Sequence, residues 1–356
     1  MSHTPRILFV VDAGATVGGG HVMRSLTLAQ ALEAAGAICV FIVNPAGKAM
    51  LDAFGGEISH LQTQAIAPAE LVAYAADVAR WNDAVVIDHY GLAAPDHARI
   101  AGGRPTLVID DLADRPLAAD LVLDAGPARR AEDYDGLVAP GTDLLLGPNN
   151  APVRPAFAAL RKDALARRAQ AGLVRRVLVS LGLTDVGAIT HRAVGLLLPQ
   201  IDPEVTLDVV LGGGAPSLQA LRALAQAEPR VTLHVDTQDM PRLTLEADLA
   251  VGAGGSTSWE RCVLALPTLL LVLADNQRDA AQALANADAV RALDVAARDF
   301  DVAFRSEIGR LLDDARLRDR LSAASSAVCD GRGAARVAAR FLALVRQSTL
   351  PSGQHG

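Results

Sequence analysis

Short apolar runs alternate with segments of helical periodicity in both halves of the chain, and this alternation constrains the fold more than any other feature. The apolar runs are rich in Val, Ile and Leu and are continuous, without a polar residue at every second position. Continuous apolarity is typical of parallel strands buried on both faces, and the segments between them fit crossover helices. The pattern predicts an α/β protein with two doubly wound, Rossmann-like domains. Examples of the runs are RILFVVD, AICVFIV, RRVLVSLG and VTLDVVLGGG.

A cluster of Pro and Asn in the segment GPNNAPVRPAF separates the two sets of runs. Such a cluster predicts a domain junction, and 356 residues exceed what one hydrophobic core usually serves. We therefore expect an N-terminal domain over 1–153, a C-terminal domain over 154–332, and a helix followed by a flexible tail over 333–356. Ligands of such sheets bind outside the carboxyl ends of the strands, so we expect the two domains to face each other across a ligand-binding cleft.

The distribution of charge excludes several classes of partner. Residues 1–155 contain 10 Lys or Arg against 18 Asp or Glu, a balance of −8, whereas the other residues contain 23 against 22. Neither half supplies the basic surface that binds nucleic acid or an anionic membrane. No apolar run approaches the ~20 residues of a membrane-spanning helix, and the N-terminus lacks a signal-peptide pattern. Cys39, Cys262 and Cys329 show no disulfide or metal-site spacing. These features predict a cytoplasmic enzyme without membrane insertion.

The stretch DAGATVGGGHVMRS places His21 directly after three glycines and at the start of a predicted helix. Its spacing fits neither the dinucleotide-binding fingerprint nor the phosphate-binding loop. In one interpretation the glycines form a tight turn, and His21 caps or packs against the helix. In the other, the loop brings His21 against a ligand, because a helix N-terminus disfavours imidazolium and a neutral imidazole facing a cleft suits a general base. The residues alone leave both interpretations open.

A second glycine-rich segment, VGAGGSTSWE, ends a predicted strand and opens a helix at Ser256 or Thr257. Backbone N–H groups at a helix start form an anion site, and glycines let a diphosphate approach it closely. Glu260 lies one turn into the helix, where it is placed to reach ribose hydroxyls. The competing interpretation is a capping box between Thr257 and Glu260, which would occupy the same carboxylate.

Further polar segments follow other predicted strands. In LADNQRDAA, Asn276 and Gln277 are candidates for binding a sugar or phosphate, although Asn276 also fits a helix N-cap. The segments VIDHYG and IDDLAD place aspartates at two successive strand ends, where Asp is commonly a cap or turn residue. No metal-ligand spacing accompanies them, and no G-x-S-x-G motif is present. Neither metal catalysis nor serine hydrolase chemistry is therefore indicated.

In this order, the segments resemble the UDP-2,4-diacetamido-2,4,6-trideoxy-β-L-altropyranose hydrolases of pseudaminic acid biosynthesis, the PseG family, which are relatives of MurG-type glycosyltransferases. The resemblance extends from residue 6 to about residue 290 and implies the GT-B fold. Its most specific part is the G-x-G-H-x-x-R element combined with D-H-Y-G and I-D-D-L-A-D-R-P. The matching segments are VDAGATVGGGHVMRSLTLAQAL, VVIDHYGL, VIDDLADRPLAADLVLD, LLLGPNNAPVRPAF, GAGGSTSWERCVLALPTLLLV and NQ.

The resemblance implies a role for each matching residue. His21 would be the base that activates water. Glu260 would hold the ribose, and Ser256 and Thr257 the diphosphate. The residues implied at the substrate end are Gly20, Arg24, Asp88, Tyr90, Asn276 and Gln277, and those implied for UDP are Gly182, Val235, Met240, Gly255, Ser256, Thr257 and Glu260. Two positions depart from the family pattern: Val10 stands where the first strand usually has Arg, and Leu183 replaces the second Gly of a G-G-T-D element.

The implied reaction is hydrolysis of a UDP-linked diacetamido-trideoxy hexose by anomeric C–O cleavage with inversion, a step of pseudaminic acid biosynthesis for flagellin glycosylation. Because UDP is a good leaving group, the opposed carboxylates of glycosidases are not required. The resemblance implies no cofactor, and we expect no metal and a monomer. Two rival interpretations are a GT-B glycosyltransferase with a UDP-sugar donor and a soluble acceptor, and a non-catalytic binder of sugar nucleotides.

Overall fold

The computed structural model describes residues 3–13, 19–56, 58–62, 67–170 and 172–349. Their contacts divide the chain into two compact units, which we call the first and second unit. The first unit contains the chain up to Pro152 together with the segment from Arg332 onward, and the second unit runs from Val153 to Gly331. The helix over 333–349 therefore belongs to the first unit, whereas the sequence analysis gave the segment 333–356 as a part of its own. The expected flexible tail, after residue 349, lies outside the described residues.

The first unit is built on a parallel sheet of seven strands in the order β3-β2-β1-β4-β5-β6-β7. The strands are β1 (Arg6–Val11), β2 (Ile38–Val43), β3 (Ser59–Gln62), β4 (Ala84–Asp88), β5 (Thr106–Ile109), β6 (Leu121–Asp124) and β7 (Asp143–Leu146). The helices between them are α1 (Gly20–Ala34), α2 (Pro45–Phe54), α3 (Pro68–Ala79) and α4 (Ala94–Ala101). Because β1 lies between β2 and β4, the strand order reverses there, and the carboxyl ends of β1 and β4 border the crevice where doubly wound sheets bind ligands.

The second unit repeats this plan with six strands in the order β10-β9-β8-β11-β12-β13, all parallel. The strands are β8 (Arg176–Ser180), β9 (Thr206–Leu211), β10 (Val231–Val235), β11 (Leu249–Ala253), β12 (Thr268–Val272) and β13 (Arg291–Asp294). The helices are α5 (Pro155–Arg168), α6 (Ile189–Leu197), α7 (Leu218–Ala227), α8 (Met240–Glu246), α9 (Thr257–Val263), α10 (Arg278–Asn286), α11 (Phe300–Asp313) and α12 (Ala315–Val328). Here the order reverses at β8, between β9 and β11.

The burial of the strands confirms the interpretation of the continuous apolar runs. All five residues of β4 and all five of β11 are buried. In the first unit, Phe9 and Val86 belong to one hydrophobic core, while Leu8 and Val85 belong to another. Since successive side chains of a strand point to opposite faces, the sheet is covered by apolar packing on both sides.

The last helix, α13 (Gly333–Thr349), packs beside α1 in the first unit. Its side chains Val337 and Phe341 are fully buried and share a core with Leu28 and Leu32 of α1. A helix with one apolar face must bury that face against another element. The C-terminal helix thus completes one face of the first sheet, although it begins at Gly333 and α1 ends at Ala34.

Candidate functional site

The first candidate group forms where β1 and β4 end. His21 is the second residue of α1, which follows β1, and Asp88 is the last residue of β4. Strand pairing sets Val11 beside Asp88, so the start of α1 and the end of β4 meet. The Nδ1 atom of His21 lies 2.8 Å from Oδ1 of Asp88. A histidine held in this way by a carboxylate donates its Nδ1 proton and keeps the lone pair of Nε2 for chemistry.

His21 is more buried than the sequence analysis expected. Its exposed fraction is 3%, so the imidazole is not open to solvent. Its neighbours are polar or aromatic: besides Asp88, the edge of the Tyr90 ring meets it with 4.4 Å between ring centroids. No side chain caps the start of α1, so His21 is not a cap, which was one alternative. Residues 14–18 of the glycine-rich stretch lie outside the described residues.

Asp88 is fully buried, and its carboxylate accepts hydrogen bonds from two side chains and lies within ion-pair distance of a third, His21, whose Nδ1 is also 3.3 Å from the main-chain carbonyl oxygen of Asp88. Arg24 donates from Nε to Oδ2 at 2.8 Å and from Nη2 to Oδ1 at 2.6 Å, and Ser25 donates from Oγ to Oδ2 at 2.9 Å. His21 adds the contact to Oδ1. Burial opposes ionisation, but Arg24 and His21 outweigh it and hold the pKa of Asp88 well below its usual range. Asp88 is thus an anion whose oxygens are occupied by donors of the protein, and the substrate contact that the resemblance implied for it stays a prediction.

The network continues from Arg24 to a second carboxylate. Arg24 donates from Nη1 to Oδ2 of Asp111 at 2.8 Å. Burial alone would lower the pKa of Arg24, but Asp88 and Asp111 raise it well above its ordinary value. The pKa of Asp111 is lowered: burial opposes this, while Arg24 and a hydrogen bond from Tyr90 favour the anion. Sequence reasoning named Tyr90 and Arg24 but missed Ser25 and Asp111, because a pairing between distant segments leaves no local pattern.

A second candidate group lies in the second unit, at the end of β11. Ser256 is the N-cap residue of α9, but its side chain makes no capping hydrogen bond. Glu260 does not complete a capping box with Thr257; its Oε1 instead accepts from Nε of Arg154 at 2.8 Å. The other oxygen, Oε2, is buried and has no hydrogen-bond partner. The capping-box interpretation is therefore wrong, and one acceptor of Glu260 remains unused.

Arg261, which the sequence analysis did not single out, is buried beside this carboxylate, with an exposed fraction of 4%. It donates to the carbonyl oxygen of Ala253 at 2.7 Å and to the hydroxyls of Ser258 and Thr257 at 3.1 and 3.0 Å. Burial lowers its pKa to about 10, so the group stays charged at neutral pH. A hint was present in the sequence: Gly252 interrupts an apolar strand, as glycines do where another group approaches the backbone closely.

The other UDP-side predictions fall at strand ends of the second unit. Gly182 follows β8 with a φ of +99°, a conformation that favours glycine. Val235 ends β10, and Met240 begins α8. A pocket within this unit brings three predicted residues together, since Met240, Thr257 and Glu260 all line it. The predicted Gly255 belongs to the loop before α9.

Asn276 and Gln277 follow β12, in a short 3-10 turn from Asp275 to Gln277. The helix α10 begins only at Arg278, with Gln277 in the N-cap position, so the alternative of an N-cap at Asn276 is wrong. The Oε1 atom of Gln277 accepts from the backbone N–H of Leu273 at 2.9 Å. This bond fixes the amide group and leaves its NH₂ as the part that can donate to a ligand.

In the part of the chain that the structure describes, no group of three or more His, Cys, Asp or Glu side chains is arranged to hold a metal ion. Among the described helices, none combines the length and apolarity that crossing a membrane would need.

Comparison with solved structures gives the class of protein: the chain has the GT-B fold. MurG of Acinetobacter baumannii superposes with a TM-score of 0.67, covering 95% of this chain and 100% of MurG at 19% identity. The predicted fold class, two parallel sheets each flanked by helices, is confirmed. No protein-family model matches the chain.

Two curated relatives narrow the comparison. The UDP-2,4-diacetamido-2,4,6-trideoxy-beta-L-altropyranose hydrolase of Campylobacter jejuni is 21% identical over 282 residues, 79% of this chain and 96% of the relative. The spore coat polysaccharide biosynthesis protein SpsG of Bacillus subtilis is 26% identical over 208 residues, 58% of this chain, and the match spans only 60% of SpsG. The resemblance to the PseG hydrolases and to MurG is confirmed, at low identity.

Proposed function

We propose that this protein hydrolyses a UDP-linked 2,4-diacetamido-2,4,6-trideoxy hexose, of the UDP-6-deoxy-AltdiNAc type, to UDP and the free sugar. The comparisons support an enzyme that uses UDP-sugars, since the similarity to the Campylobacter hydrolase extends over 79% of the chain. The observation that carries the proposal is the contact of His21 with Asp88, at 2.8 Å within a buried network of charges. A histidine and a buried carboxylate in this arrangement form a general base.

His21 takes the proton of the attacking water. With Nδ1 donating to Asp88, Nε2 accepts a proton from water while the water oxygen bonds to the anomeric carbon. The bond from that carbon to the β-phosphate oxygen breaks, and its electron pair leaves with UDP. Water attacks the face opposite UDP, so the configuration at the anomeric carbon inverts. General base catalysis of this kind contributes a factor of ~10²–10⁴ to the rate.

The remaining charges of the first unit support that step. When His21 gains a proton, the imidazolium faces the Asp88 anion, which stabilises the positive charge. Arg24 keeps Asp88 ionised and fixed through two hydrogen bonds. Such preorganised charges lower the barrier because they need no rearrangement when the reaction occurs. In this proposal Tyr90 and the backbone at Gly20 are the sugar contacts of the first unit. The second unit contributes its own sugar contacts, Asn276 and Gln277.

The second unit holds UDP in this proposal. Glu260 accepts a hydrogen bond from a ribose hydroxyl through Oε2, the oxygen that no protein group satisfies. Ser256, Thr257 and the backbone at Gly255 bind the diphosphate. Val235, Met240 and Gly182 border the uracil. The unsatisfied oxygen supports this assignment, because a buried acceptor without a donor costs ~1–3 kcal/mol until a ligand supplies one.

A second candidate is a glycosyltransferase that uses a UDP-sugar and a soluble acceptor. The similarity to MurG over 95% of the chain favours it, because MurG-type proteins transfer sugars on the same fold. His21 would then deprotonate an acceptor hydroxyl instead of water. The two candidates share donor, fold and base, and they differ only in the nucleophile.

Incubation of the purified protein with the UDP-sugar in H₂¹⁸O, without an acceptor and with EDTA present, tests the proposal. Hydrolysis by C–O cleavage predicts equal amounts of UDP and free sugar, with ¹⁸O in the sugar, and NMR of the first anomer formed reports inversion. Label in UDP would mean attack at phosphorus and would refute the mechanism. UDP release that requires an added acceptor would favour the transferase, and loss of activity in EDTA would contradict metal independence.

A further inference from the structure

Several arginines of the second unit are buried or partly buried and donate to main-chain carbonyl groups. Three of them serve the C-terminal ends of helices. Arg168 donates to carbonyls of α8 and its C-cap, Arg318 to carbonyls in the last turn of α11, and Arg161 to carbonyls at the ends of α9 and α12. A helix C-terminus carries partial negative charge, so a cation there is stabilised by the helix itself.

Arg261 occupies the opposite kind of place. Its guanidinium lies between the last residue of β11 and the first turn of α9, where it donates to Ala253, Thr257 and Ser258. This is the positive end of the helix, which repels a cation. Arg261 comes from the same helix, and its side chain runs back toward the N-terminus as long helical side chains do.

In the described part of the chain the guanidinium forms no ion pair. Burial lowers its pKa, and the neighbouring Glu260 raises that pKa only as a nearby charge. Among the described residues, no carboxylate lies within ion-pair distance of Arg261, and its Nε atom is buried without an acceptor. The adjacent Glu260 is paired with Arg154 instead. A buried cation without a partner is strongly unfavourable, so the fold holds this charge here at a cost to stability.

The strand leaves room for the charge. A Cβ atom on Gly252 would lie 2.4 Å from Cζ of Arg261 and 2.5 Å from Nη1, closer than any real contact. Only glycine at this position of β11 admits the guanidinium. The absence of a side chain at Gly252 leaves room for the guanidinium of Arg261. This close fit indicates that the position of Arg261 is a regular feature of the fold.

Arg261 also fixes the direction of one hydroxyl. Its Nη1 donates to Oγ1 of Thr257 at 3.0 Å, so the oxygen of Thr257 is used as an acceptor. The hydroxyl proton of Thr257 then does not point at the guanidinium and can be donated to another group. Ser258 is different, because its hydroxyl donates to the carbonyl of Ala253 at 3.2 Å. The Thr257 hydroxyl is thus an oriented hydrogen-bond donor, and the positive charge of Arg261 lies next to it.

We infer that Arg261 is a positioning residue for the diphosphate of the bound nucleotide. It holds the hydroxyl of Thr257 as a donor and supplies positive charge beneath the loop 254–257, and the diphosphate is the counter-charge that the protein itself lacks. This inference rests on the proposed function, because it requires that the second unit bind UDP. It goes beyond it by assigning recognition of the diphosphate to a buried side chain that does not touch the ligand.

The test compares UDP with uridine, which lacks the diphosphate, in Arg261→Met and Thr257→Val. Isothermal titration measures both ligands, with uridine at millimolar concentration, and thermal unfolding checks that each variant is folded. We expect Arg261→Met to weaken UDP by about 10- to 100-fold, the range of a charge-assisted interaction, and to change uridine binding by less than about threefold. Thr257→Val removes the hydroxyl but keeps the shape, and we expect a smaller loss that is again confined to UDP.

Arg168→Met is the matched control, because Arg168 is equally buried and also donates to main-chain carbonyls. It should lose stability while the ratio of UDP to uridine affinity stays unchanged. Equal losses for UDP and uridine in folded Arg261→Met would overturn the inference. If that variant does not fold, Thr257→Val decides by the same ratio. If the unaltered protein binds no UDP, the proposed function falls with the inference, whereas UDP binding that is insensitive to both variants refutes the inference alone.

Discussion

The two candidate groups differ in how their central charged side chains are paired. In the first unit, Asp88 contacts three donor side chains and is ionised, and its partner Arg24 uses all three guanidinium nitrogens on Asp88 and Asp111. In the second unit, one oxygen of Glu260 is buried without a donor, and Arg261 is buried without a carboxylate. Both oxygens of Asp88 are paired within the protein, whereas one oxygen of Glu260 has no donor among the described residues.

The difference indicates what each group is for. A buried carboxylate whose two oxygens are both paired is held rigidly, and rigidity suits a group that must hold a base in one orientation. Unpaired buried groups raise the free energy of the ligand-free protein, and a ligand that pairs them recovers that free energy on binding. We therefore expect substitutions in the first unit to act on rate and stability, and substitutions in the second unit to act on nucleotide affinity.

The largest expected effect is on turnover in His21→Gln. The amide keeps a polar group of similar size but cannot take a proton from water, so the rate of UDP release should fall ~10²- to 10⁴-fold. The affinity for UDP, measured by titration, should remain within about twofold because no group of the second unit changes. Undiminished UDP release by this variant would show that His21 is not the base.

Asp88→Asn should break the paired network itself. The amide carries no charge, so Arg24 and His21 lose their main anion in a site that excludes water. Removing one partner of a buried ion pair typically costs ~3–5 kcal/mol of stability, and we expect a fall of that size in denaturant unfolding, together with a loss of activity. The control is Asp114→Asn, whose carboxylate is 59% exposed and pairs with Arg115; such a surface pair contributes only ~0–1 kcal/mol. Equal effects of the two variants would contradict the assignment.

Much of the fold could be predicted from sequence because its signals are local. The runs around β4 and β11 are continuous and apolar, and both strands are buried along their whole length. The position of α13 beside α1 could not be predicted, because an amphipathic helix shows that it has a buried face but not which element covers that face. A junction near residue 153 could be predicted because its cluster of Pro and Asn is local. The return of the chain to the first unit depends on distant contacts, so no local pattern predicts it.

The candidate site was predictable to the level of single residues but not of their partners. The sequence analysis named His21, Arg24 and Asp88. The contacts of Asp88 with three side chains, however, join segments more than 60 residues apart. The capping box failed because Arg154, 106 residues away in sequence, offers Glu260 a full positive charge that outcompetes a local backbone N–H. Tertiary contacts of this kind override local patterns, and they cannot be detected from the spacing of neighbouring residues in the sequence.

A histidine of the first unit gives a prediction for pH. His97 is fully buried on α4, and burial, followed by repulsion from Arg115, lowers its pKa to about 4 from 6.5. The folded protein therefore favours neutral His97, so its contribution to stability is present above pH 6.5 and is lost as the pH falls toward 4. The expected loss is up to ~3 kcal/mol, measured by denaturant unfolding at several pH values. His97→Gln should flatten this dependence, and His191→Gln, at an exposed position of the second unit, should not; an unchanged slope in His97→Gln would refute the assignment.

The smallest expected effect concerns Oε2 of Glu260, the oxygen without a donor. Its measurement distinguishes a role of Glu260 in binding the ligand from a purely structural role. If Oε2 accepts from a ribose hydroxyl, UDP should bind about tenfold more tightly than 2′,3′-dideoxy-UDP, a difference of roughly one charge-assisted hydrogen bond. In Glu260→Gln this preference should shrink toward unity, because the amide is a weaker acceptor. Arg154→Lys retains the positive charge but not the Nε contact at 2.8 Å, so it should reduce the preference only partly. A preference that survives in Glu260→Gln would mean that the ribose is read elsewhere, and the contrast between the two units would then rest on Arg261 alone.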